Sequence, residues 1–287
     1  MLAIFGIILV FAMVFGGFIS AGGKIEVILH ALPHELVIIG GATIGAFLIG
    51  NKGVVAKGVL KDLSRCFKGA TWNKNDYKDL LSLLFILTKT MKSKGLLALE
   101  SHLEKPHESP IFSAFPRIIH DHAALDLICD TLRMMTMSLE DPHQIEDAIQ
   151  RQLEKHHHEV LAPGEALQNV ADALPAIGIV AAVLGVIKTM SSIDQPPAVL
   201  GHMIGGALVG TFMGVFMAYC FVGPIANKIK GTHDQDAHYY RIIRDVLVAH
   251  LKGNAPQVSI EIGRGNIPTI YQPSFAELEA TLNDLKV

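Results

Sequence analysis

The sequence predicts an all-α membrane protein: four transmembrane helices, a large helical cytoplasmic domain between the second and third, and a cytoplasmic C-terminal tail. Three observations carry that prediction. Half of the 287 residues are hydrophobic and only 18% are charged, a balance shifted away from soluble domains. The charges are collected into blocks instead of being spread along the chain. Four apolar stretches approach the roughly 20 residues that a helix needs to cross a hydrocarbon core about 30 Å thick.

The first stretch, residues 1 to about 20, contains LAIFGIILVFAMVFGGFIS. It has no basic leader, and its apolar run is too long for a secretion signal, so it reads as a span of the mature protein. The second, ELVIIGGATIGAFLIG, extends from about residue 35 to 50 and is the shortest. The third covers about 172–190 and the fourth about 200–226. Lysine and arginine mark the cytoplasmic side. The predicted loop between the first two spans carries Lys24 alone, and SSIDQPPAV between the last two carries none, with Lys188 just inside it and able to snorkel outward. Nearly all other basic residues fall within 52–170 or after Pro224, so those regions and both termini are expected in the cytoplasm. The expected segments are therefore 1–51 for spans one and two, 52–170 for the cytoplasmic domain, 171–226 for spans three and four, and 227–287 for the tail.

Helical spacing dominates the cytoplasmic part. DYKDLLSLLFILTKTMKSKGLLALE and IIHDHAALDLICDTLRMMTMSL repeat aliphatic residues at three and four. DPHQIEDAIQRQLEKHHHEV opens with an aspartate N-cap and proline at the first helical position. The tail offers the helical AHYYRIIRDVLVAHLKG, the Gly/Pro-punctuated GNAPQVSIEIGRGNIPTIYQP, and a short final helix in SFAELEATLNDLK. No alternating β-pattern and no repeat of 20–50 residues is found.

Several classes of function are excluded. A formal net charge of −3 gives no footing for nucleic acid. Cys66, Cys129 and Cys220 stand singly, without the spacing of a disulfide framework or zinc site, and read as buried or membrane-side thiols. His120 and His122 point to different faces of a helix, and the run His156, His157 and His158 reads as a solvated helix end, so no metal and no cofactor is expected. Phosphate loops, GxSxG and HExxH are absent, so the sequence does not read as an enzyme.

The spans carry the informative residues. Small residues recur at Gly206, Gly210 and Gly214, at Gly201 and Gly205, and at Gly178 with Ala182 and Ala181 with Gly185. Such seams let helix backbones approach, either within one chain or between copies. Pro175 and Pro224 are expected at the same cytoplasmic depth, as a paired hinge or as ordinary helix-end prolines. Glu35 and Asp172 are expected at span ends, His202 near the outer end, and Thr211 as the main polar group at mid-depth of the fourth span. An ion path needs an ionisable group inside the bilayer. On this reading that group comes from another chain.

These motifs resemble the MotA proteins of the bacterial flagellar motor. VFGGFISAGG, ELVIIGGATIGAFLIGN, SLEDPH, DALPAIGIVAAVLGVIKTM, LVGTFMGVFMAYCFVGPIA and PSFAELE carry the resemblance from end to end. It implies a stator subunit in the bacterial inner membrane. In that family several copies, a pentamer, surround the membrane helices of a MotB-like partner whose aspartate carries the ion, and the cytoplasmic domain pushes on the rotor protein FliG. The resemblance assigns coupling to Pro175 and Pro224, an acidic channel end to Asp172, and contact with the partner aspartate to Thr211. It assigns rotor contact to Lys92 and Glu100, although relatives commonly have arginine where Lys92 stands, and lysine lacks the fork geometry. Sodium-driven relatives place threonines where this chain has Ala182 and Gly210, so protons are the expected ion. The rival is an ExbB- or TolQ-like subunit energising outer-membrane processes, against which the additional first hairpin of spans speaks.

Overall fold

The computed structural model describes residues 2–136 and 141–285; residues 137–140, which include the first half of the SLEDPH signal and the end of the preceding helical pattern, lie outside them. No strand occurs among the described residues. In chain order the helices are α1 (Leu2–Ser20), α2 (Ile25–Gly50), α3 (Gly53–Lys68), α4 (Lys74–Lys94), α5 (Glu100–Glu104), α6 (Pro110–Ser113), α7 (Pro116–Ile119) and α8 (His122–Thr136). They continue with α9 (Pro142–Met190), α10 (Pro197–Met217), α11 (Gly223–Leu251), α12 (Pro256–Gly265) and α13 (Phe275–Asn283). Four helical runs are long and apolar enough to cross a membrane: α1, α2, α9, and the continuous stretch from Pro197 to Leu251. The all-α membrane architecture expected from the sequence is the one observed.

The second span is longer than its sequence signal. Helix α2 starts at Ile25, carries Pro33 in its interior and runs for 26 residues, so the loop before it is only residues 21–24, with Gly22 at φ +86° making the turn. His30, Pro33 and His34 interrupt the hydropathy, but a proline there removes only one backbone donor, and the apolar IEVILHAL continues the helix in front of it. Glu35 is thus not at a span end. The third span and the helix before it, expected as separate segments, are one 49-residue helix through Pro163 and Pro175. Asp141 caps it, its carboxylate accepting the His143 N–H at 3.0 Å, with Pro142 next, as the sequence signal requires.

Between α10 and α11 the chain stays helical through a π turn, Ala218–Val222. The Gly223 N–H reaches back to the Ala218 carbonyl, and Pro224 follows without an N–H of its own. A wide turn placed directly before a proline moves the carbonyls that the ring would otherwise strike.

Contacts divide the chain into two units: Met1–Gly69 with Leu161–Thr232, and Ala70–Val160 with His233–Val287. The first unit holds α1–α3, the later part of α9, α10 and the start of α11. Its interior is apolar: Ile39, Leu174, Ala181, Val209, Met213, Phe216 and Ala218 are buried, and Phe11, Phe15, Phe212, Phe216 and Phe221 meet ring to ring at 5.2–6.1 Å. Helix α3 lays Val59, Asp62 and Cys66 inward, and Gly58 lets it pass close to Pro163, whose Cγ would lie 2.6 Å from a Cβ at 58.

The second unit is built around α4. Leu80, Leu81, Leu83, Leu84 and Leu87 are fully buried, so this helix is apolar on nearly every side and forms the centre of its unit. A capping box starts it: the Asn73 side chain accepts the Asn75 N–H at 2.8 Å, and Asp76 accepts the Asn73 N–H at 2.8 Å. Gly95, at φ +81°, ends it. The long helical pattern read from DYKDLLSLLFILTKTMKSKGLLALE is therefore broken after Lys94, because only glycine adopts that backbone cheaply. Trp72 stacks on Tyr239 at 3.9 Å, and Asp236 accepts both the Thr71 N–H and hydroxyl at 2.8 Å. The punctuated stretch after residue 252 contains α12, started by Pro256 at its first turn. Ser274 and Glu277 form a second capping box for α13, and Lys74 with two Ser274 hydrogen bonds holds the Glu277 carboxyl down to about 2.

The histidine run is not at a helix end, and only His158 of the three is exposed. The run lies inside α9, where His156 packs edge-on against Tyr240 at 5.2 Å and His157 Nε2 is 3.3 Å from Asp234. Burial lowers the His156 pKa. Cys66 and Cys129 are buried free thiols, and burial raises the pKa of each.

Candidate functional site

The seam between α9 and α10 is closed by glycine. A Cβ on Gly178 would sit 2.8 Å from the Gly210 carbonyl oxygen and 2.9 Å from the Gly214 Cα. One on Gly214 would meet the Leu174 carbonyl at 2.7 Å, and one on Gly185 the Ala207 Cβ at 2.6 Å. Small side chains here replace a hydrophobic driving force with close backbone contact. The seam is taken up inside the chain. Gly205 and Gly206 turn instead toward α2, with Val27 and Ala31 as the nearest atoms at 3.3 and 3.8 Å.

This register fixes the predicted residues. Gly210 packs on Ala181 and beside Ala182, whose amide nitrogen would lie 3.1 Å from a Cβ at 210. Ala182 and Gly210 are therefore neighbours across the seam, and Thr211, half-buried, follows at the same level. Pro175 follows Leu174, which faces Gly214, whereas Pro224 follows Gly223, which faces Ala171. Ala171 and Pro175 are one helical turn apart on α9, about 6 Å. The two prolines are thus staggered by a turn instead of sharing one depth. Asp172 is exposed and accepts the Gln168 side-chain N–H at 2.9 Å.

The structure adds a residue that sequence reasoning set aside. Glu35 is only 7% exposed. Its Oε2 would lie 2.6 Å from a Cβ on Gly210 and has no hydrogen-bond partner. This chain therefore carries an acid of its own at the level of Ala182, Gly210 and Thr211, contrary to the expectation that its spans hold none. The available signal was a lone carboxylate inside apolar sequence; reading the span from residue 35 pushed it to the edge.

One side of α9 presents Ile179, Val180, Val183, Leu184, Val186 and Ile187 outward. In the second unit, Lys92 on the last turn of α4 and Glu100 at the start of α5 are both exposed, on either side of the Gly95 break. The expected single helix does not carry them.

Fold and seam together define a class: an all-helical membrane subunit with four spans, two of them joined by a glycine seam. Residues 121–242 match the MotA/TolQ/ExbB proton channel family, and residues 4–95 match the family described as Motility protein A N-terminal. The chain is 39% identical to Motility protein A of Salmonella typhimurium, over 97% of its own length and 94% of the relative's. It is 38% identical to Motility protein A of Escherichia coli, over 100% and 96%. Chemotaxis protein LafT of Vibrio parahaemolyticus is 36% identical over 96% of both chains. Among solved structures, C. jejuni MotAB matches with a TM-score of 0.70 at 20% identity, covering 93% of this chain and 95% of that one. The flagellar MotAB stator complex from Bacillus subtilis matches at 0.69 and 23%, covering 96% and 98%. The chain belongs to the motility protein A family. The match over residues 4–95 covers the first hairpin of spans, the feature that separates this family from the ExbB and TolQ rival.

Proposed function

We propose that this chain is a stator subunit that works with a MotB-like membrane partner, conducts protons inward and turns that flow into torque on the rotor protein FliG. The observation that carries the reading is the α9–α10 seam. Its glycines are used up inside the chain, which leaves the outward apolar side of α9 free to wall a path against a partner helix. The partner's aspartate would face Thr211. Ala182 and Gly210 supply no side-chain oxygen, and a sodium ion needs several to replace its hydration shell, which supports protons. Several copies, five by analogy with the family, would enclose the partner.

In this proposal both termini, the 52–170 domain and the tail lie in the cytoplasm, following the lysine and arginine bias. Pro175 and Pro224 leave the Ala171 and Cys220 carbonyls without their usual helical donors, giving α9 and the α10–α11 run bendable points a turn apart. Protonation of the partner carboxylate changes which wall it prefers, and the helices step. One charge crossing about 100 mV releases roughly 2.3 kcal/mol, enough to bias such a step. Asp172 marks the inner mouth. Exposed Lys92 and Glu100 steer the rotor more than they grip it, because exposed ion pairs contribute only about 0–1 kcal/mol.

The test is complementation of a deletion strain whose partner gene is intact, with wild type or Pro175→Ala at equal membrane levels. Full-length but paralysed filaments in the deletion, rescued by wild type and poorly by Pro175→Ala, support the proposal. A deletion strain that swims normally, with no second stator set, refutes it.

A further inference from the structure

We propose that a cavity among α2, α9 and α10 is a proton-collecting antechamber of the channel, and that Glu35 at its inner end is a proton-holding residue contributed by this chain itself. The inference rests on the proton-channel reading above and extends it to a site on this chain.

The cavity lies at the end of the spans where loops 21–24 and 191–196 are found, and its volume is ≈ 230 Å³. At about 30 Å³ per molecule that is room for several waters. His30, His34 and Glu35 line it from α2, Lys188 and Thr189 from α9, and His202 from α10. All of these but Thr189 are titratable or charged, and the rest of the lining is apolar or glycine. The His30 and His202 rings meet edge to face at 6.2 Å. An imidazole can accept a proton at one ring nitrogen while donating one from the other, so the mouth carries groups with the geometry of a proton relay.

Glu35 differs from the others. It is more than nine-tenths buried, and the orphaned Oε2 lies against Gly210. A buried carboxyl oxygen left unpaired is costly, and it calls for a donor: water or a proton. No neighbouring side chain in the structure supplies one. Metal is a poorer fit, since no group of three or more metal-ligating side chains occurs among the described residues, and the Thr189 hydroxyl already donates to the Gly185 carbonyl at 2.9 Å. The glycine at 210 makes the position possible, because any side chain there would occupy the space of the carboxyl oxygen.

The transfer balances without any co-reactant. A proton entering from outside, carried on an imidazole of the lining or relayed over cavity water, is taken up by the Glu35 carboxylate, which leaves the imidazole or the water neutral. When the α9–α10 contact at Gly210 parts during the step, the Glu35 carboxylic acid releases its proton to the partner's ionised carboxylate and returns to its starting state. One proton has moved inward.

The experiment measures motor speed near zero load, where ion transfer sets the pace, at fixed membrane potential and at several external pH values. Cells of the deletion strain carry wild type, E35Q or E35D, with stator incorporation counted by a fluorescent fusion. E35Q keeps the shape and removes proton exchange. Its speed per incorporated unit is expected to fall roughly threefold or more at external pH about 8, less at about 6, with E35D between E35Q and wild type. Should E35Q fail to incorporate, proton flux into vesicles holding the purified complex with its partner replaces the speed measurement, with the same expectation. Speed or flux of E35Q equal to wild type at every pH overturns the proposal, as does a loss that tracks incorporation alone. If wild type itself drives no rotation, the stator reading fails, and that outcome is distinct from a wild type that rotates beside an unimpaired E35Q.

Discussion

Replacing Gly178 with alanine probes the seam at one of its tightest points. The new Cβ would lie 2.8 Å from the Gly210 carbonyl oxygen, 2.9 Å from the Gly214 Cα and 3.3 Å from the Gly214 nitrogen. All three atoms are backbone, so no rotamer change relieves the contact. Carbon atoms settle about 3.5–4.0 Å apart, so α9 and α10 must part locally by ~0.6–1 Å. Overpacking of that kind costs about 1–3 kcal/mol, which is ~5- to 150-fold in the ratio of folded to unfolded protein. Helix propensity acts the other way, since alanine is favoured over glycine by about 1 kcal/mol in a helix interior. Gly201→Ala carries that gain alone, because a Cβ there meets nothing within 4 Å. The difference between the two variants therefore isolates packing. Purified protein in detergent, unfolded with a denaturing surfactant and followed by far-ultraviolet circular dichroism, gives both midpoints. Equal midpoints for Gly178→Ala and Gly201→Ala would refute the idea that glycine holds these helices together.

Two further outcomes are expected in the second unit. Asp76→Ala removes the acceptor of the Asn73 N–H and the partner of Arg117, but Arg117 is half-exposed and regains water; the loss should be that of a helix cap, about 1–2 kcal/mol, and not the roughly 3–5 kcal/mol of a stranded buried charge, as equilibrium unfolding would show. Burial lowers the pKa of His156, His238 and His250, so below about pH 6.5 the unfolded chain takes up protons first. Stability is then full above that pH and declines below it until the folded values are reached, and thermal midpoints of His156→Gln should depend less steeply on pH than those of wild type; an unchanged slope would remove His156 from the account.

Much of the fold was legible because its signals are local. Hydropathy alone marks α1 and the apolar parts of α9 and α10, since each is long enough to cross a hydrocarbon core. Short-range chemistry marks the starts of α9 and α13: Asp141 before Pro142, and Ser274 three residues before Glu277. Local signals also misled. Gly95 sits inside an unbroken helical pattern, and its role as a stop follows from a positive φ that periodicity does not encode. The prolines 163 and 175 resemble boundaries, yet α9 passes through both, because packing on either side holds a helix that has lost single hydrogen bonds.

The sequence by itself determined the class: apolar length set the spans, the grouping of charges separated the spans from the charged segments between and after them, and small residues at four-residue spacing announced close helix contact. Only the tertiary structure decided what those residues touch. Whether Gly178 meets Gly214 in the same chain or another copy depends on the antiparallel register of two consecutive helices, which the spacing within either helix does not contain. The same register brings Glu35 of the second span against Gly210 of the fourth, turning a carboxylate that hydropathy places at an edge into a buried acid beside the seam. Burial and pairing are properties of neighbours in space, and for this chain those neighbours come from three separate spans.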